Sequence, residues 1–127
     1  MEYLLDTHTA LWALKEDEKL SAAAKAIIAN TSTSLFVSVV SAWEIAIKVS
    51  RGKLEFPGGS KAFFRQMKDN GIELLGVNNA YITHLETLPY IHRDPFDRLL
   101  VSTANVEGLT ILTADSDIQK YDVLWSW

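Results

Sequence analysis

The chain has no cysteine, only three prolines, and no apolar run near the ~20 residues that a membrane-spanning helix needs. Without cysteine there are no disulfides and no thiolate metal ligands, and the composition suits a reducing compartment. Histidine is scarce too. His8, His84 and His92 form no His-x-x-x-His metal spacing. His8 is expected at the rim of any site near Asp6, and His84 and His92 as ordinary surface or helix-end residues. Repeats, low-complexity tracts and flexible linkers are absent. The acids Glu2 and Asp6 come at once, unlike the basic opening of a signal peptide. These absences predict a soluble, cytoplasmic protein.

What is present fits one domain over residues 1–127. Apolar residues make up 48%, and a chain this long buries roughly two thirds of its unfolded surface, enough for a core without staples. Net charge is −4, which argues against nonspecific coating of nucleic acid, but the distribution is uneven. Residues 48–68 carry Lys48, Arg51, Lys53, Lys61, Arg65 and Lys68 against Glu55, while the flanking segments are acidic. Such a stretch either solvates a helix-loop-helix surface or meets a polyanion.

Short apolar runs alternate with helical segments. Strands are predicted over 1–5, 34–38, 72–77, 110–113 and, weakly, 123–125. Between them lie helices over 7–14, from 21, up to 51, 60–70, 79–88 and 95–106, with a short helical turn over 115–120. Gly52, Gly71 and Gly108 mark helix ends, and Asp94-Pro95 marks a helix start. This alternation predicts a three-layer αβα fold with a mostly parallel central sheet.

Four carboxylates lie at the edges of these segments: Asp6, Glu44, Asp97 and Asp115. The carboxyl ends of parallel strands converge on one crevice. Acids gathered there raise one another's pKa or bind a cation, and oxygen-only ligands favour magnesium or manganese. Each acid also has a structural reading. Asp6 would cap the next helix, although a carboxylate at the end of a buried strand needs a partner. Glu44 fits a capping box opened by Ser41. Asp94 is placed to cap its helix. Asp97, one turn in, either completes a capping box or presents its charge at a helix N-terminus. Asp115 would cap the last turn, and Asp117 is expected to face solvent. Trp12 and Trp43 are expected in the core, and Trp125 and Trp127 against the C-terminus or a dimer seam.

The stretches Leu4-Leu5-Asp6-Thr7-His8, Ser38-Val39-Val40-Ser41-Ala42-Trp43-Glu44-Ile45, His92-Arg93-Asp94-Pro95-Phe96-Asp97-Arg98-Leu99-Leu100 and Leu112-Thr113-Ala114-Asp115 occur in this order. They resemble the PIN-domain ribonucleases, and specifically the VapC-type toxins of bacterial toxin–antitoxin pairs. The resemblance implies a PIN-like fold and a magnesium- or manganese-dependent endoribonuclease. It also implies a homodimer held in check by a cognate antitoxin. By motif position the catalytic, metal-binding quartet falls on Asp6, Glu44, Asp97 and Asp115, with Asp94 as the helix cap. With no histidine expected in place, metal and carboxylate would activate the nucleophile. Lys48, Arg51 and Lys53 would guide the RNA backbone, and Arg98 would touch a phosphate or brace the acids.

Other classes fit less well. Phosphatases that attack through a strand-end aspartate usually carry a second acid two residues on, where this chain has His8. A phospho-receiver signalling domain resembles a sheet with an adjacent acid pair after the first strand and a phosphoacceptor after the third. Here Asp6 stands alone, and Gly76-Val77-Asn78 follows the third strand. A DNA nuclease of the same fold stays open, because metal chemistry does not read the 2′-hydroxyl.

Overall fold

The computed structural model describes residues 1–127. Five strands form one sheet: β1 (Glu2–Leu5), β2 (Ser34–Ser38), β3 (Ile72–Leu75), β4 (Thr110–Leu112) and β5 (Trp125–Ser126). Every strand pairing is parallel, and the order is β3-β2-β1-β4-β5. The helices are α1 (Thr7–Lys15), α2 (Ala22–Ala29), α3 (Val39–Ser50), α4 (Gly59–Asp69), α5 (Asn79–Leu85) and α6 (Pro95–Glu107). None is long and apolar enough to cross a membrane.

Successive strand residues point to opposite faces, and the burial pattern follows that rule. Tyr3, Leu5, Leu35, Val37 and Leu112 join Ala10, Ala24, Ile45, Phe63 and Met67 in a core beneath α1 to α4. Leu4, Phe36 and Ile111 point the other way, onto Leu100, Val101 and Ala104 of α6. The sheet therefore lies between two helical layers, as the alternation of elements predicts. Phe63 is fully buried, and truncating such a side chain to alanine typically costs about 3–5 kcal/mol.

Strand order places the site. The chain moves outward from β1 to β2 and β3, then returns to lay β4 on the other side of β1. The crevice of an open parallel sheet opens at such a reversal, beyond the carboxyl ends of the strands. Here that is the seam of β1 and β4, with Leu5 beside Leu112.

Several local expectations are corrected. Helix α3 begins straight after β2, and Ser38 is its cap, accepting from the Val40 amide at 3.0 Å. Ser41 is inside the helix, so it opens no capping box for Glu44. Helix α4 is entered through Gly58, not Ser60. Gly58 has φ of +85°, and a Cβ there would lie 2.7 Å from that of Ala62, so only glycine fits this entry. The turn after β4 is a 3-10 turn over Ile118–Lys120, and β5 begins at Trp125. Trp43 is not in the core. It is 60% exposed on the outer side of α3, edge-on to Phe96 at 5.0 Å between ring centroids.

Candidate active site

Asp6 immediately follows β1 and caps α1, its Oδ1 accepting from the Thr9 amide at 2.9 Å. Its Oδ2 accepts from the Thr113 hydroxyl, which the β1–β4 register sets directly alongside. Burial pushes the Asp6 carboxyl above its usual range, against the opposing effect of these hydrogen bonds and of nearby His8. The capping and site readings are therefore compatible: one oxygen caps while the carboxylate stays at the crevice.

Glu44 projects from α3 toward the same point. Its Oε1 accepts from the Thr7 hydroxyl at 2.8 Å, and Thr7 Oγ1 also lies 2.9 Å from Ser41 Oγ. Its Oε2 pairs with Lys48 Nζ at 2.9 Å. Asp94 Oδ1 accepts from the amides of Phe96 and Asp97, at 2.9 and 3.1 Å, and so caps α6. Asp97 is raised to about 7, first by burial and then by repulsion from Asp94, with Asp115 and Asp6 adding to it and a hydrogen bond from His92 opposing it. Asp115 Oδ1 accepts from the amides of Asp117 and Ile118, at 2.8 and 3.3 Å, and starts the 3-10 turn.

The four predicted acids thus come together from four places in the chain. With Thr7, His8, Lys48 and Asp94 they line a cavity of about 100 Å³. A larger cleft of about 470 Å³ adjoins it and shares Glu44, Lys48 and Asp94. Arg51, Lys53 and Arg93 line this cleft, with Phe96 among its walls. The three basic residues expected to meet RNA, Lys48, Arg51 and Lys53, therefore lie together beside the acids.

For Arg98 only the phosphate contact is corrected: it is buried, and Nη1 donates to the Pro89 carbonyl at 2.9 Å and to the Tyr121 hydroxyl at 3.0 Å. Tyr121 in turn meets His92 and His92 meets Asp97, so the alternative of bracing the acids stays in place. His92 is a second correction. It is largely buried, with Nε2 3.2 Å from Asp97 Oδ2. His8 does lie at the rim, exposed and stacked on Trp12. Arg93, Thr7 and Thr113 join the site without having been expected there. Thr113 has a signal in the sequence, since a parallel neighbour of β1 must bring its own strand-end residue next to Asp6. His92 carries no such signal, because it sits in an irregular stretch between α5 and α6.

The donor set is oxygen only, which suits a hard divalent ion. The repulsion acting on Asp97 is what such a cation relieves. No three of these side chains are close enough, as they stand, to form a ready coordination sphere. Lys48 holds one oxygen of Glu44 and His92 holds one of Asp97. A cation held through Glu44 Oε2 would have to compete with Lys48.

Fold and site together define a class: a three-layer α/β domain with an acidic cleft at the reversal of a parallel sheet. The chain belongs to the PIN-domain family, whose model matches residues 3–124. It is 26% identical over 119 residues to Ribonuclease VapC22 of Mycobacterium tuberculosis, covering 93% of this chain and 90% of that protein. Two solved structures share the fold. VapBC2 from Rickettsia felis, bound to a DNA fragment from its promoter, aligns over 99% of this chain and 98% of the other, at 15% identity and a TM-score of 0.72. VapBC-1 from nontypeable Haemophilus influenzae aligns over 99% and 97%, at 17% identity and a TM-score of 0.69.

Proposed function

We propose that this chain is a single PIN domain acting as a divalent-cation-dependent endoribonuclease, the toxin of a toxin–antitoxin pair. One observation carries the reading: carboxylates from residue 6 to residue 115 line one small cavity that opens into a basic cleft. The ribonuclease relative and the VapBC complexes of the same fold support it.

Asp6, Glu44, Asp97 and Asp115 are the residues that would hold the ion. A magnesium or manganese ion there would neutralise charge on the scissile phosphate and acidify water. The protein's own part is orientation. Thr9 and Thr113 fix Asp6, and Thr7 fixes Glu44. Lys48, Arg51 and Lys53, joined by Arg93, hold the RNA backbone through its phosphates and lead it to the acids. The partners that follow from this reading are RNA, a cognate antitoxin and a second copy of the chain, acting in the cytoplasm.

The test is cleavage of a mixed pool of single-stranded RNA by the purified chain in magnesium or manganese. Discrete cuts are expected, and Asp6→Asn abolishes them. Intact RNA with either ion, from a folded protein, overturns the reading. Equal cutting of DNA of the same sequence would replace it with a DNA nuclease.

A further inference from the structure

Three of the four acids have two hydrogen-bond or ion-pair partners each. Asp6 has Thr9 and Thr113, Glu44 has Thr7 and Lys48, and Asp115 has the amides of Asp117 and Ile118. The Asp97 side chain has one, His92. Asp97 is also the acid supplied by α6, where no neighbouring strand end holds it.

Behind His92 the chain of hydrogen bonds continues inward. His92 Nδ1 lies 2.8 Å from the Tyr121 hydroxyl, which accepts from Arg98 Nη1 at 3.0 Å. Arg98 is itself pinned to the Pro89 carbonyl at 2.9 Å, with its guanidinium over the Tyr90 ring. Tyr121 and Arg98 are both buried. A guanidinium only donates, so one lone pair of the Tyr121 oxygen is used to accept. When Asp97 is ionised it only accepts, and the nitrogen facing it then carries hydrogen. A neutral imidazole with its proton on Nε2 satisfies both ends: Tyr121 O–H donates to Nδ1, and Nε2–H donates to Asp97 Oδ2.

We propose that His92 is a positioning residue for the nuclease site. Tyr121, itself held by Arg98, fixes the His92 ring, and His92 holds Asp97 Oδ2, which would leave Oδ1 available to a cation. The chain runs in one direction, from Arg98 to Tyr121 to His92 to Asp97. It ties the irregular segment before α6 and the segment after the 3-10 turn to one ligand. Metal-ligating carboxylates are characteristically held this way, and loss of such a partner costs about 10- to 100-fold in metal affinity or activity.

This inference rests on the reading of Asp97 as a cation ligand, and its test separates the two. Manganese binding to the purified protein, without RNA, is measured for wild type, His92→Ala, His92→Gln and Tyr121→Phe, with circular dichroism to confirm folding. His92→Ala is expected to weaken manganese binding by about 10- to 100-fold. His92→Gln, whose amide N–H reaches the same point, is expected to recover most of it. Tyr121→Phe, which frees the ring to turn, is expected to fall between. Imidazole ¹⁵N spectra of the metal-free protein well above pH 7, where Asp97 is ionised, are expected to show His92 as the Nε2–H tautomer, with mixed tautomers in Tyr121→Phe. Wild-type manganese affinity in a folded His92→Ala, or an Nδ1–H tautomer in the wild type, overturns the proposal. If the wild type binds no manganese at all, the nuclease reading fails, while the ¹⁵N spectra and the Asp97 ¹³C carboxyl signal of His92→Ala still decide whether the histidine orients Asp97.

Discussion

Lys48 Nζ and Glu44 Oε2 lie 2.9 Å apart, one helical turn from each other on α3, with the lysine at the mouth of the acidic cavity. The lysine therefore stands where an added cation would act, and it competes for the same oxygen. Lys48→Met should tighten manganese binding, and the ion should raise the melting temperature further than in the wild type. Without metal the variant should lose stability, because the buried Glu44 carboxylate keeps only Thr7 as a partner. Thermal melts across a manganese titration decide it. An identical response in both proteins would mean that the ion bypasses Glu44.

The two acids of Asp94-Pro95-Phe96-Asp97 should behave in opposite ways. Asp94→Ala removes a cap that serves two amides and should destabilise the fold by about 1 kcal/mol, roughly 3–5 °C in melting temperature for a domain of this size. Asp97→Ala should abolish RNA cleavage while stabilising the metal-free protein, since it removes the charge on which burial and neighbouring acids bear. Parallel melts and cleavage assays compare the two. A stable, inactive Asp94→Ala beside an active Asp97→Ala would reverse the assignment.

Asp97 also sets a pH dependence for the metal-free protein. Its native pKa, about 7, lies above the ordinary 3.8. Between those values the native state holds more proton than the unfolded state, so stability falls as pH rises through the window. Buried Asp6, shifted in the same direction, adds to the fall. The melting temperature should decline from about pH 4 to about pH 7, and Asp97→Asn should flatten much of that slope. A wild-type melting temperature that rises over this range would contradict the direction of both shifts.

The basic cleft makes its own prediction. Arg51, Lys53 and Arg93 line it and, unlike Lys48, have no acid partner. Each phosphate left without its cation should flatten the logarithmic salt dependence of single-strand binding by about 0.7. A triple alanine variant should bind RNA more weakly and with a shallower salt slope, yet keep its manganese response. Binding isotherms at several salt concentrations give the slope directly. An unaltered slope would move the RNA path to Lys61, Arg65 and Lys68 on α4.

The sheet is legible in the sequence because Leu4-Leu5, Phe36-Val37 and Ile111-Leu112 are buried on both faces and leave near-continuous apolar runs. The acidic quartet is legible because strand ends and helix starts of such a sheet share one edge. What escapes a reading of the sequence depends on meetings between distant residues. Ser41 and Ser38 both look like helix caps, and only the absence of a loop between β2 and α3 decides for Ser38. Trp43 is near core positions in helical spacing, yet the buried face of α3 passes through Val40, Ala42 and Ile45 and leaves it outside. His92 and Arg98 draw their roles from Tyr121, which lies 29 and 23 positions away, and no local pattern announces that meeting.

The hydrogen bond from Thr113 to Asp6 spans 107 positions of sequence. Its consequence concerns timing. As the polypeptide emerges from a ribosome, β1, β2 and β3 come out first, and Glu44 with them. Thr113 and Asp115 come out only after α6 and β4. Until then Asp6 lacks the neighbour that fixes its second oxygen, and the cavity lacks a wall. On the proposed reading, an unfinished copy of the chain is expected to be inert toward the RNA being translated to make it.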